Sequence, residues 1–135
     1  MYLLDTNVVS ELRRARPHGA VLEWLRSAAD SGLAICAATI GEIQAGVEKT
    51  RPHDSKRAGQ IDLWLSTIVQ NYVVLPHDAE AFRAWGRIMH GKSPTLAMDA
   101  MIASVALTRG LVVATRNVKD FAGFGVKTVD PFSHR

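Results

Sequence analysis

Residues 96–115, LAMDAMIASVALTRGLVVAT, decide the fold of this chain. Up to about residue 108 nearly every side chain is apolar, which predicts a helix with little solvent-facing width. Gly110 suits the left-handed cap that ends such a helix. The segment LVVAT (111–115) then predicts a strand. A helix that leads directly into a strand is typical of an alternating α/β fold.

The same alternation runs along the rest of the chain. Strands are predicted at residues 2–4, 33–37, 72–75, 111–115 and 127–130. Helices are predicted at about 7–14, 17–31, 39–49, 54–70, 78–89 and 95–108. We therefore expect an α/β fold, a three-layer α/β/α sandwich with a central, mainly parallel sheet of four to five strands. We expect residues 1–135 to form a single domain.

The composition is that of an ordinary globular domain, with 47% hydrophobic and 21% charged residues. No apolar run approaches the roughly 20 residues that a membrane helix needs. The first residues carry no signal-peptide pattern. Cys36 is the single cysteine, so a reducing compartment is the simplest expectation. The sequence thus predicts a cytoplasmic protein without a membrane segment.

The net charge is only mildly positive, at +3, although the isoelectric point is near 9.4. Such an excess permits contact with a phosphate backbone but does not require it. Basic side chains cluster in two places, at Arg13, Arg14 and Arg16 and at Lys49, Arg51, Lys56 and Arg57. A solvated surface explains both clusters equally well, so charge alone does not identify a partner.

Polar residues fall where the strands of the predicted sheet end. Asp5 follows the first strand, Glu42 lies in the helix after the second, and Asn117 follows the fourth. Asp99 lies in the helix that leads into the fourth strand. Ligands of open parallel sheets bind beyond the carboxyl ends of the strands. These four side chains are therefore candidates for one common site.

Asp99 is the most informative of these residues, because its neighbours in the helix are almost all apolar. A buried carboxylate without a partner is unfavourable by several kcal/mol unless a cation or hydrogen bonds compensate it. The alternative is that Asp99 pairs with Lys92 or Arg116, or faces water near the start of the helix.

Local capping offers an alternative for the other two acids. An Asp after a strand can cap the next helix, as Asp5 would do. The segment Thr39-Ile40-Gly41-Glu42 fits a capping box, with Thr39 as N-cap and Glu42 reaching back to its amide. Neither acid alone therefore indicates a functional site.

Taken together, the acids predict a metal site. Hard divalent cations such as Mg²⁺ and Mn²⁺ prefer oxygen ligands, and clustered carboxylates that repel one another are receptive to a cation. Bound metal lowers the pKa of a coordinated water and stabilises charge on a reacting phosphate. This chemistry needs no nucleophilic side chain.

Four motifs give the chain a family resemblance. They are LLDTNVVSEL (3–12), ATIGEIQAGV (38–47), AMDAMIASVAL (97–107) and TRNVKDF (115–121). In order and spacing they resemble the PIN domain, in particular the VapC and FitB-like toxins of bacterial type II toxin–antitoxin pairs. The resemblance covers essentially the whole chain, because all four motifs are in register.

The resemblance implies a role for each candidate residue. Asp5, Glu42 and Asp99 take the places of the three acidic metal ligands. Asn117 matches a fourth position that is often Asp in relatives, and Asp120 either supplies charge nearby or caps a turn. Asn7 and Thr115 resemble residues that support the ligands by hydrogen bonds.

The resemblance also implies an activity and partners. The activity is Mg²⁺- or Mn²⁺-dependent endoribonucleolytic cleavage of RNA. The partners are a cognate VapB-like antitoxin with a DNA-binding N-terminus and a second copy of the chain, within a larger complex. Arg13, Arg14 and Arg116 are candidates for contacting RNA phosphates or the antitoxin, and the sequence does not rank them.

Two other functions stay open at this point. A strand-end Asp with Mg²⁺ also occurs in phosphatases and phospho-acceptor domains, where the Asp itself is phosphorylated. The amide at Asn117 is also compatible with a catalytically weak binding module that has lost its activity.

Overall fold

The computed structural model describes residues 1–133, and its centre is a five-stranded sheet. The strands are β1 (Tyr2–Leu4), β2 (Leu33–Cys36), β3 (Val73–Leu75), β4 (Val112–Ala114) and β5 (Thr128–Val129). Their order is β3-β2-β1-β4-β5, and every neighbouring pair is parallel. This arrangement confirms the predicted parallel α/β sheet and places β1 at its centre.

Seven α-helices connect the strands within residues 1–133. They are α1 (Thr6–Glu11), α2 (Gly19–Ala28), α3 (Ala37–Thr50), α4 (Ser55–Asn71), α5 (Ala79–Met89), α6 (Ala97–Arg109) and α7 (Val118–Ala122). None of the described helices is both long and apolar enough to cross a membrane.

The central strand β1 supplies side chains to two separate cores. Leu3 packs with α5, α6 and α7 on one face of the sheet, whereas Leu4 packs with α1 and α2 on the other. Both leucines are fully buried. Successive side chains of a strand point to opposite faces, so the apolar run of β1 fits a strand that is covered on both sides.

Most helix ends lie close to their predicted positions. Asp54 and Asp78 cap α4 and α5 by accepting hydrogen bonds from the backbone amides of Arg57 and Ala81. Gly110 ends α6 with a left-handed backbone, φ +67°. The second helix begins at Gly19, two residues after the predicted start at Pro17, and α1 ends at Glu11.

The predicted capping box at Thr39 is wrong. Helix α3 begins at Ala37, directly after β2, with Cys36 as its N-cap residue. Thr39 is therefore inside the first turn and fully buried, where its hydroxyl accepts a hydrogen bond from the Thr6 hydroxyl. Glu42 consequently belongs to the second turn and has no capping role.

The sequence did not predict α7. The helix has only five residues, too few for a helical apolar pattern to be recognised. Its Phe121 is fully buried in the core and meets the ring of Phe124 edge to face. Packing of these rings therefore stabilises a helix whose sequence gives little indication of it.

The cap at Gly110 gives a test of the fold. Gly110→Ala should lower the free energy of unfolding by about 1 kcal/mol, because an alanine is strained at positive φ. Gly86→Ala is the matched control, since Gly86 lies within α5 with open space around its Cα. The control should raise stability by about 0.5–1 kcal/mol. Urea denaturation measures the free energy of unfolding of both variants. A change of equal size and sign in the two variants would contradict the role of Gly110 as a cap.

Candidate active site

Asp5 directly follows the central strand β1 and is buried, with 3% of its surface exposed. One carboxylate oxygen accepts a hydrogen bond from the Thr6 amide at 2.7 Å. The other accepts from the Thr115 hydroxyl at 2.7 Å and from the Asn7 side-chain amide at 3.2 Å. Asp5 is therefore the N-cap residue of α1, as local reasoning predicted, and it also faces the pocket described below.

Burial is the largest influence on the Asp5 carboxyl and raises its pKa. The hydrogen bonds from Thr115 and Thr6 act in the opposite direction, and the nearby charge of Glu42 raises the pKa further. No basic side chain within residues 1–133 forms an ion pair with Asp5. The charge is thus held by neutral donors and lacks a protein counter-charge.

Asp99 lies in the first turn of α6 and is partly buried. Desolvation by burial, followed by the charges of Asp5, Asp120 and Glu42, raises its pKa to about 6. These acids are therefore close enough in space for their negative charges to repel one another.

Of the two alternatives for Asp99, the salt bridge is not present in the part of the chain that the structure describes, whereas its place near the start of the helix, with partial exposure, is observed. Neither Lys92 nor Arg116 pairs with Asp99. The guanidinium of Arg116 instead lies over the ring of Phe132, 3.8 Å from the centroid.

Six residues line one pocket of about 300 Å³ beyond the carboxyl ends of β1, β2 and β4. They are Asp5, Thr6, Asn7, Glu42, Asp99 and Asn117. Among them, Glu42 is exposed, whereas Asp5 is buried. The topology thus brings together acids that are up to 94 positions apart, from residue 5 to residue 99.

Asn117 and Asp120 have different positions. Asn117 lines the pocket, and its backbone amide donates to the Thr115 hydroxyl at 2.9 Å. Asp120 is exposed on α7 and does not line the pocket, although its charge raises the pKa of Asp99. Thr115 therefore connects the Asn117 backbone to the carboxylate of Asp5.

The oxygen ligands of this pocket suit a hard cation that keeps part of its hydration shell better than a cation that is surrounded by protein ligands alone. Within residues 1–133, no group of three or more His, Cys, Asp or Glu side chains is arranged to hold a metal ion by itself. Mg²⁺ needs no such cage, because it keeps several waters and is usually bound through one or two carboxylates.

The structure distinguishes the three arginines that the sequence left unranked. Arg14 pairs with Glu11 at 3.2 Å, and Arg116 packs on Phe132. Arg13 has no ion pair with any described residue and lines a depression beside the pocket.

Glu11 is a buried acid that the sequence reasoning did not single out. It is 6% exposed, and it also accepts a hydrogen bond from the His18 amide at 2.9 Å. Its contacts connect α1 to the start of α2, which indicates a structural role. The signal in the sequence was weak, since a lone Glu at a helix end is usually solvated.

Comparisons with known proteins identify relatives along the whole chain. Residues 2–125 match the family model described as the PIN domain. The VapC ribonuclease Y4jK of Sinorhizobium fredii is 32% identical and the toxin FitB of Neisseria gonorrhoeae is 31% identical. The first alignment covers 98% of both proteins, and the second covers 98% of this chain and 99% of FitB.

A solved structure gives the same result for the fold. The crystal structure of FitAcB from Neisseria gonorrhoeae superimposes with a TM-score of 0.79 at 28% sequence identity. The match covers 98% of this chain and 99% of the other. The resemblance seen in the four motifs and the predicted α/β/α fold class are both confirmed.

The raised pKa of Asp99 predicts a pH-dependent stability. Above pH 6 its charge destabilises the folded state, since the pKa is about 6 in the fold and 3.8 is the ordinary value. The full shift would correspond to about 3 kcal/mol, but Asp99 is only partly buried and solvent screens its charge. Asp99→Asn should therefore raise the free energy of unfolding at pH 7 by about 1 kcal/mol. This gain should disappear as the pH falls from about 6 to about 4, because the wild-type carboxyl then takes up a proton.

Urea denaturation in EDTA at pH 7 and pH 4 measures this effect. Glu23→Gln is the control, because Glu23 is an exposed acid on α2. A loss of stability at pH 7, or the same gain at both pH values, would show that Asp99 is not repelled by its neighbours.

Proposed function

We propose that this chain, which belongs to the PIN domain family, is a Mg²⁺- or Mn²⁺-dependent endoribonuclease and the toxin of a toxin–antitoxin pair. One observation carries the proposal: three acids face a single pocket without a basic partner among the described residues. Such a pocket favours a cation, and a cation-bound carboxylate site is suited to phosphodiester hydrolysis.

Each pocket residue has a role in this proposal. Asp5, Asp99 and Glu42 would hold a hydrated cation, directly or through its waters, and Asn117 would offer a neutral amide oxygen. When bound, the cation supplies the Lewis acidity that activates water and offsets charge on the phosphate.

The neighbours of Asp5 fix its orientation. Donors from Thr6, Asn7 and Thr115 reach both oxygens of the carboxylate, so its plane is set before any ligand arrives. Preorganised donors and ligands reduce the reorganisation that a reaction requires. Thr115 and Asn7 are thus positioning residues, and Glu42, which is exposed, retains the freedom to adjust.

Burial of Asp5 argues against the phospho-acceptor alternative. A carboxylate that attacks phosphorus needs a free oxygen and an open line of approach. Asp5 is 3% exposed, and its two oxygens accept three hydrogen bonds. This environment suits a fixed ligand better than a nucleophile.

The proposed partners follow from the relatives. The VapC relative is named a ribonuclease and FitB is named a toxin. We extend RNA cleavage to this chain, together with inhibition by a cognate VapB-like antitoxin. We further propose that the chain is one domain, acts in the cytoplasm, forms a homodimer and joins a larger complex with its antitoxin.

Neutralising the proposed ligands should abolish RNA cleavage. Asp5→Asn and Asp99→Asn should each reduce cleavage of total bacterial RNA at least about 100-fold in Mg²⁺ or Mn²⁺. Chelation of the cation should reduce RNA cleavage by the wild type to a similar extent. Gel-based cleavage assays measure activity, and circular dichroism checks the fold.

The Glu23→Gln control, which removes an exposed acid that does not line the pocket, should keep wild-type activity. A second readout does not need RNA: Mn²⁺ should raise the melting temperature of the wild type and have a smaller effect on Asp99→Asn. Full activity in both ligand variants would refute the assignment.

The amide at Asn117 gives a separate test of the metal site. Asn117→Asp should lower the apparent dissociation constant for Mn²⁺ by about tenfold, because it adds a fourth carboxylate to the pocket. Without metal the same change should lower stability through repulsion. Isothermal titration of Mn²⁺ measures binding, with Gln70→Glu on the exposed part of α4 as a charge control. Equal Mn²⁺ affinity in both variants would place the cation away from Asn117.

A further inference from the structure

The segment that follows β5 packs beside the loop between β4 and α7. It forms a single 3₁₀ turn, Pro131–Ser133, that lies against α2. Asp130 caps this turn, because its carboxylate oxygens accept hydrogen bonds from the Phe132 amide at 2.9 Å and from the Ser133 hydroxyl at 3.1 Å. The backbone that carries Phe132 is therefore fixed by its own neighbours.

The ring of Phe132 connects the core to Arg116. It packs against the core on the α1 and α2 side of the sheet, where the His18 ring meets it edge to face at 5.3 Å. The guanidinium of Arg116 lies over the face of the same ring, 3.8 Å from its centroid. Arginine side chains stack on aromatic faces because the ring attracts the positive charge. The ring thus ties residue 116, between Thr115 and Asn117, to the core.

Hydrogen bonds connect this loop, residues 115–117, to the carboxylate of Asp5. The Arg116 amide donates to the Oδ1 atom of Asn7 at 3.4 Å, and the Nδ2 atom of Asn7 donates to Asp5 at 3.2 Å. The Thr115 hydroxyl donates to the same oxygen of Asp5 at 2.7 Å. Both donors to this oxygen therefore depend on where the loop lies.

The 115–117 loop has few other anchors. The Thr115 amide donates to the Val129 carbonyl of β5 at 2.9 Å, but Arg116 and Asn117 are both exposed. Within residues 1–133 the guanidinium of Arg116 forms no ion pair, so its stack on Phe132 is the contact that anchors it. Exposed loop hydrogen bonds open at little cost in free energy.

We propose that Phe132 is a positioning residue for the proposed metal site and acts through Arg116. Its ring holds the 115–117 loop in place, and the loop sets the donors that orient the Asp5 carboxylate. The proposal rests on the proposed function, because the orientation of Asp5 matters to a cation that this carboxylate binds. Groups that orient a metal ligand change metal affinity although they do not touch the metal.

A role in core packing alone is the alternative for Phe132, and matched variants separate the two roles. Phe132→Leu removes the ring and leaves every charge in place. Tyr72→Leu is its control, since Tyr72 packs against the same core and does not line the acidic pocket. Phe132→Tyr keeps the ring face, and Arg116→Lys keeps the charge but removes the planar guanidinium.

The first measurement is hydrogen exchange of the loop amides, followed by NMR on the metal-free protein in EDTA. We expect the amides of Arg116 and Asn117 to exchange about two- to fivefold faster in Phe132→Leu, the range that a cation–π contact at an exposed site can contribute. Tyr72→Leu should leave both amides at the wild-type rates. Circular dichroism checks that each variant is folded.

The second measurement is isothermal titration with Mn²⁺ in the absence of RNA. Phe132→Leu should raise the dissociation constant about two- to fivefold, whereas Phe132→Tyr and Tyr72→Leu should bind Mn²⁺ like the wild type. Arg116→Lys should weaken binding to a similar extent, and its combination with Phe132→Leu should weaken binding no further, because both changes break one contact.

Three results would overturn the positioning role. One is wild-type Mn²⁺ affinity or wild-type loop exchange in Phe132→Leu. Another is an equal loss of Mn²⁺ affinity in Phe132→Leu and Tyr72→Leu, which would assign the effect to core packing. The third is wild-type affinity in Arg116→Lys, a variant that leaves the core unchanged and tests the contact even if Phe132→Leu does not fold. A wild type without Mn²⁺ binding and without RNA cleavage would instead contradict the proposed function.

Discussion

The buried carboxylate of Asp5 is the constraint on which the rest of the structure depends. It lies at the end of the central strand, 3% exposed, and is held by donors from α1 and from the residue that follows β4. Thr115 reaches it because β1 and β4 are parallel neighbours in register. The Asp5 carboxylate therefore connects β1, the residue after β4 and helix α1, and the pocket forms around this carboxylate.

Without a bound cation, the acidic pocket destabilises the folded protein locally. Burial and mutual repulsion raise the pKa of Asp5 and of Asp99, so the folded state holds charges that it does not neutralise. Packing elsewhere must offset this repulsion, and the fully buried leucines of β1 on both faces of the sheet contribute to that. Natural proteins often retain such locally unfavourable arrangements where function requires them.

Local patterns predicted the fold better than the site. The apolar strands and the caps at Asp54, Asp78 and Gly110 were predictable because each depends on a few neighbouring residues. Thr39 and Glu42 matched a capping box, yet the tight junction after β2 started the helix earlier and buried Thr39. Arg13 and Arg57 were not selected as a pair, since only the packing of α1, α3 and α4 brings them together at one depression beside the pocket.

Burial decreases and charge changes sign from the acidic pocket to the adjoining depression, which Arg13 and Arg57 line. Asp5 is buried and fixed, Asp99 is partly buried, and Glu42 is exposed where the pocket and this depression meet. A phosphate that approaches along Arg13 and Arg57 is attracted until it reaches these acids, which repel it. On the proposed function, a divalent cation reverses that repulsion at the last step. Productive binding of the phosphate and the chemistry would then depend on the same ion.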